Sequence, residues 1–165
     1  MLAVFAGIFA FFGIGWDDIR DRHNEWADRP DYAERVFADL LPITKVLASR
    51  QYRHWGPDRS SWDCTYAIVE LADDAPDGPV TSARENDGWS FRFGGDWQQT
   101  SFDPVAEDTR DAVDYCGKYW PDAVAQRMRL SLSEPGHWFV EGAIGEVIFV
   151  YSKQHLLAAR IRFGD

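Results

Sequence analysis

The chain has 165 residues, with 27 acidic and 17 basic side chains for a formal net charge of −10. That length holds one domain with a genuine core. An apolar share of 45% beside 27% charged excludes disorder, collagen-like repeats and a polytopic membrane protein. No basic tract is present, so no nucleic-acid partner is expected, because phosphate contacts need clustered Lys and Arg. Two cysteines exclude a disulfide-dense mini-fold and a four-cysteine zinc site.

Residues 1–16 (MLAVFAGIFAFFGIGW) carry no charged side chain, and Asp17-Asp18 ends the run. As a helix they would rise about 24 Å, short of a hydrocarbon layer of roughly 30 Å but within reach of mismatch adjustment. Trp16 stands where an interfacial aromatic belongs. The segment reads as an N-terminal membrane anchor, leaving 17–165 as a single soluble α+β domain. A cleaved signal peptide, with Gly13 and Gly15 as a small-x-small site, and a buried helix of a soluble protein are the competing readings. Arg20, Arg22, Arg29 and Arg35 follow the span, which by the positive-inside rule would keep the domain cytoplasmic. The paired-cysteine reading below pulls toward a periplasmic domain, and that is the expected location.

Spacing of Trp16, Ile19, His23 and Trp26 extends the anchor helix to about Asp28. Pro30 fits the first turn of a second helix with the stripe Ala33, Val36, Phe37, Leu40 and Leu41. A strand over 46–54 follows, then one over 62–71 that is apolar enough to be buried on both faces. Residues 72–87, with Pro76, Gly78, Pro79 and several acids, read as an exposed loop. Gly94-Gly95-Asp96 reads as a hairpin turn between 88–93 and 97–102. Asp103-Pro104 opens a helix whose inner stripe is Val105, Thr109, Ala112, Val113, Cys116 and Trp120. Its acids Glu107, Asp108, Asp111 and Asp114, with Lys118, form a solvated face.

The last 40 residues read as strands. Residues 127–133 (RMRLSLS) alternate, Glu134-Pro135-Gly136 turns the chain, and 137–141, 146–151 and 156–163 complete a four-strand antiparallel meander with one wet face. Arg127, Arg129, Arg160 and Arg162 then read as charges protecting sheet edges, or as an anion-binding surface. The expected class is α+β: an N-terminal apolar helix and two or three helices packed on one face of a sheet. That element order is similar in outline to the NTF2-like cone fold. The likeness is one of order alone and transfers no site.

Cys64 and Cys116 are expected to pair, free buried thiols being the alternative. Neither lies in a CxxC motif, so redox catalysis has no support. His23, His54, His137 and His155 show no metal-ligand spacing. His137 and Glu141, four residues apart on a strand, would be about 13 Å apart. No metal site and no cofactor are therefore expected. Residues 73–78 (DDAPDG) resemble a calcium loop but lack the acid at the third position and the Glu at the twelfth.

Aromatics are the remaining lead. Trp55, Trp62, Trp89, Trp97, Trp120 and Trp138 are spread through the domain. Trp89, Trp97, Gln98 and Gln99 offer a ligand platform of indole faces and amides, against the plainer reading that large side chains fill the core. The function expected is a membrane-tethered binding or assembly role with a protein or glycan partner in the envelope. The alternatives are an envelope hydrolase using carboxylates, with Glu141, Glu146 and Asp96 as candidates, and a soluble interaction protein.

Overall fold

The computed structural model describes residues 30–37, 39–50, 63–80, 82–86, 89–101, 105–141 and 147–164. The apolar run 1–16, its extension to Asp28, His23, His54, Trp55, Trp62 and Glu146 lie outside the described residues. No described helix is long and apolar enough to cross a membrane.

Two sequence runs set the centre of the fold. β2 (Asp63–Leu71, DCTYAIVEL) and β7 (Val147–Ser152, VIFVYS) are nearly continuous in apolar residues. Such runs suit strands covered on both faces. They lie in a six-stranded antiparallel sheet of order β1-β2-β8-β7-β6-β5, with β1 at Ile43–Arg50, β5 at Gln98–Gln99, β6 at Trp138–Glu141 and β8 at Leu157–Gly164. A separate two-stranded ribbon pairs β3 (Ser82–Asn86) with β4 (Trp89–Phe93). The described helices are α1 (Pro30–Phe37), α2 (Glu107–Gly117) and α3 (Asp122–Ser133).

The period-2 alternation of each central strand divides the core in two. On one face Cys64, Tyr66, Ile68, Ile148, Val150, Leu157, Ala159 and Ile161 pack with α2 and α3 through Val113, Cys116, Val124, Met128 and Leu132. On the other, Ala67, Val69, Leu71, Phe149, Tyr151 and Ala158 pack with Tyr32, Ala33, Val36 and Phe37 of α1 and with Phe93. Helices therefore pack on both faces, and the face of the meander expected to be wet is covered where β7 runs. The cause is β7, in which Ile148, Phe149, Val150 and Tyr151 are all buried, so neither face can be left to water.

The α+β class stands, and several elements move. Residues 127–133, expected as the first meander strand, belong to α3. Val124, Ala125, Met128, Ser131 and Leu132 are its buried residues, a helical stripe that begins before the alternating stretch. The meander is β6-β7-β8, and β5 takes the edge beside β6. The element order behind the NTF2-like likeness is accordingly not the order observed. Gly94-Gly95-Asp96 does not join a hairpin: β4 pairs back with β3, and β5 pairs with β6. The exposed loop after β2 is shorter than 72–87, because β3 begins at Ser82.

Arg160 and Arg162 guard no edge, since β8 lies between β2 and β7. Arg160 donates to the Tyr32 hydroxyl, and Arg129 bonds Asp114 at 3.0 Å on the opposite side of the sheet. The arginines thus fall on two faces and build no common anion surface.

Two expectations hold closely. Val105, Thr109, Ala112, Val113, Cys116 and Trp120 are all buried, and Glu107, Asp111, Asp114 and Lys118 are exposed, although Val105 and Trp120 flank α2 and the expected opening at Asp103-Pro104 lies outside the described residues. Cys64 and Cys116 form a disulfide, with Cα atoms 5.6 Å apart, that ties β2 to α2.

Candidate functional site

The residues of the expected platform come from two strands, Trp89 from β4 and Gln98 and Gln99 from β5, with Trp97 immediately before β5. The backbone of Trp89 opposes Asn86 in the β3–β4 ribbon. Trp97 is half-buried, with its ring 5.3 Å from Phe93 at 63°, and packs against the α1-side core. Gly94 is required for that placement: its φ is +97°, and a Cβ there would lie 2.7 Å from the Trp97 indole nitrogen. Trp120 is buried in an edge contact with Tyr66, centroids 5.7 Å apart. Trp138 is partly buried.

Gln98 and Gln99 are exposed on β5 and line a cleft of ≈ 260 Å³ with Thr100, Ser101, Phe139 and Glu141. Among the described lining residues, Glu141 is the one carboxylate, and it accepts a hydrogen bond from the Thr109 hydroxyl. Asp96 is exposed and does not line this cleft. The calcium-like loop is spoken for differently: Lys153 Nζ donates to the carbonyls of Ala72 and Asp73 at 3.1 and 2.6 Å, and the Tyr151 hydroxyl donates to Pro76 O.

A more densely connected constellation lies where the C-terminal end of α3 meets the β7–β8 turn. Glu134 caps α3, its N–H donating to Leu130 O at 2.9 Å. Pro135 and Gly136 then reverse the chain, with Gly136 at a φ of +93° that favours glycine. Thr100 clamps the next residue. Its N–H donates to His137 O at 2.8 Å, and its Oγ1 accepts the His137 N–H at 2.9 Å. His137 is thereby fixed at 1% exposure.

The second histidine comes from the turn 153–156. That turn is held by Arg127 of α3, which donates to His155 O at 3.1 and 2.6 Å and to Leu156 O at 2.7 Å. Leu156 sits at a φ of +47°, uncommon for a leucine and held in place by those bonds. Ser152 Oγ joins the two histidines: it lies 2.9 Å from His137 Nδ1 and accepts the His155 backbone N–H at 3.0 Å.

The two rings lie 4.7 Å apart, and Glu134 Oε2 is 3.0 Å from His155 Nε2 and 3.8 Å from His137 Nε2. The donor atoms of Glu134, His137 and His155 all fall within 4.8 Å of one another. His137 Nε2 is buried and has no hydrogen-bond partner among the described residues. Burial, reinforced by His155 beside it, pushes the His137 imidazole below its ordinary 6.5, against the opposing pull of Glu134. The ring is therefore neutral at pH 7.

No protein-family model, curated protein or solved structure matches the chain.

Folding joins residues 134 and 137 to residue 155, a separation along the sequence that carries no recognisable ligand pattern.

Proposed function

We propose that this chain is a membrane-tethered domain of the cell envelope, held by residues 1–16, with a binding or assembly role outside the cytoplasm. The observation that carries the reading is the Cys64–Cys116 disulfide between β2 and α2. Disulfides form and persist in oxidising compartments and are rare where thiols are kept reduced. The apolar run supports the tether. The arginines following the span argue for a cytoplasmic domain. We weigh the bridge above them, because a reducing compartment would open it while the charges only bias insertion.

Binding is favoured over hydrolysis by the cleft beside β5. Its amides and hydroxyls (Gln98, Gln99, Thr100, Ser101) suit a protein or glycan partner. A carboxylate hydrolase needs a second acid within about 5–10 Å across the scissile bond, and Glu141 is the one carboxylate among the described lining residues.

C-terminal fusions to a phosphatase active only in the periplasm and to a fluorescent protein dark there test the location. Phosphatase activity with no fluorescence is expected. Fluorescence with no phosphatase activity overturns the reading.

A further inference from the structure

We propose that Glu134, His137 and His155 form a three-ligand site for a divalent transition metal ion of the zinc class, with a fourth coordination position facing solvent.

The donor set is two imidazoles and one carboxylate. Imidazole nitrogen suits zinc and its first-row neighbours, whereas calcium and magnesium prefer an all-oxygen shell. Two histidines and a glutamate are also a known combination at zinc sites that keep an open position.

Distances fit that chemistry. Bonds of about 2.0–2.1 Å in a tetrahedral shell place neighbouring ligand atoms roughly 3.3 Å apart. Glu134 Oε2 stands 3.0 Å from one ligating nitrogen and 3.8 Å from the other, bracketing that value. All three donor atoms lie within 4.8 Å of one another, so the approach still required is of the order of a single side-chain adjustment.

The orientation of His137 is independent support. Ser152 Oγ holds its Nδ1, and when Nδ1–H donates there, Nε2 presents its lone pair to the cluster. That nitrogen is buried and has no hydrogen-bond partner among the described residues. Leaving such a group buried and unpaired is costly, and an ion bound against it removes the anomaly. Ser152 is itself fully buried and also accepts the His155 N–H, so one hydroxyl sets both ligands.

The positive charge of Arg127, which holds the turn bearing His155, is directed at backbone carbonyls and at Glu70, whose carboxylate lies 2.9 Å away. Access is from the Glu134 side: its side chain is 42% exposed, against 16% for His155 and 1% for His137. Three protein ligands at a half-open rim describe a site that exchanges its ion or presents it to a further ligand, unlike a closed four-ligand structural centre. Metal binding here is independent of the compartment in which the domain resides.

Titration of the purified full chain in detergent with Zn²⁺, against a competing chromophoric chelator, tests the site. One equivalent is expected to bind with an affinity that His155→Ala and Glu134→Gln each lower by more than the roughly 10–100-fold typical of losing an outer-shell partner. Ser152→Ala is expected within that 10–100-fold range. Both ligand variants alter partly exposed side chains, and circular dichroism confirms that they fold. On the unaltered chain, ring-nitrogen NMR should show Zn²⁺ shifting the Nε2 signals of His137 and His155. Absence of stoichiometric binding, binding unchanged in His155→Ala, or unmoved ring signals would each overturn the proposal.

Discussion

The guanidinium of Arg127 lies 2.9 Å from the carboxylate of Glu70, joining α3 to the end of β2 across 57 residues of chain. The same guanidinium holds the His155 and Leu156 carbonyls, so one side chain couples the helix layer, the sheet and the turn bearing a proposed ligand.

Arg127→Ala is expected to lower stability by about 2 kcal/mol, at the low side of the range for losing charged hydrogen bonds because the pair is partly exposed. Urea denaturation measures the loss. Amide exchange should also accelerate through residues 153–156, whose two carbonyls lose their donor. Protection unchanged in that turn would show that Arg127 does not hold it.

Acidification should destabilise the metal-free protein through His137. Its folded imidazole sits below 6.5, so the unfolded chain binds the proton first. Stability is fully present above pH 6.5 and is lost as pH falls from there toward the folded value. Urea midpoints taken from pH 7.5 to 5 with excess chelator should fall, and His137→Gln should flatten that part of the profile. An equal slope in the variant would assign the proton uptake elsewhere.

Loss of the disulfide should be costly. The bridge closes a loop with a sequence separation of 52, for which the chain-entropy relation gives about 4 kcal/mol. The double variant Cys64→Ala, Cys116→Ala should show this in its urea midpoint. A difference below about 1 kcal/mol would mean that the unfolded chain gains little freedom when the bridge is gone.

Gly94→Ala combines a left-handed φ with a Cβ driven into the Trp97 indole. Backbone strain and overpacking together predict a loss of roughly 2–4 kcal/mol. Thermal denaturation checks the magnitude. Parent-like stability would show that the loop and Trp97 can move aside without cost.

Where local pattern and final environment agree, the sequence was enough to read the elements. Residues 62–71 carry apolar side chains at both parities, which announces a strand covered on two faces. The stripe from Val105 to Trp120 needs only helical periodicity, and Glu107, Asp111 and Asp114 fall on the exposed side. Residues 127–133 were ambiguous because Arg-Met-Arg-Leu-Ser-Leu-Ser satisfies alternation, while Met128 and Leu132 also continue the helical stripe begun at Val124. A period counted within seven residues does not separate the two.

The sequence by itself determined the α+β class, the inner faces of α1 and α2, the two-sided burial of β2 and the two cysteines available to pair. Those properties follow from side-chain periodicity, which acts within a single element. Only the tertiary structure decided that α3 is a helix, because packing of Met128 and Leu132 on the sheet outweighs an alternation that would otherwise have served a strand. It also decided that Glu134 and His137 meet His155. Their encounter depends on the end of α3 and the β7–β8 turn arriving at the same edge of the core, and no local spacing encodes that distance.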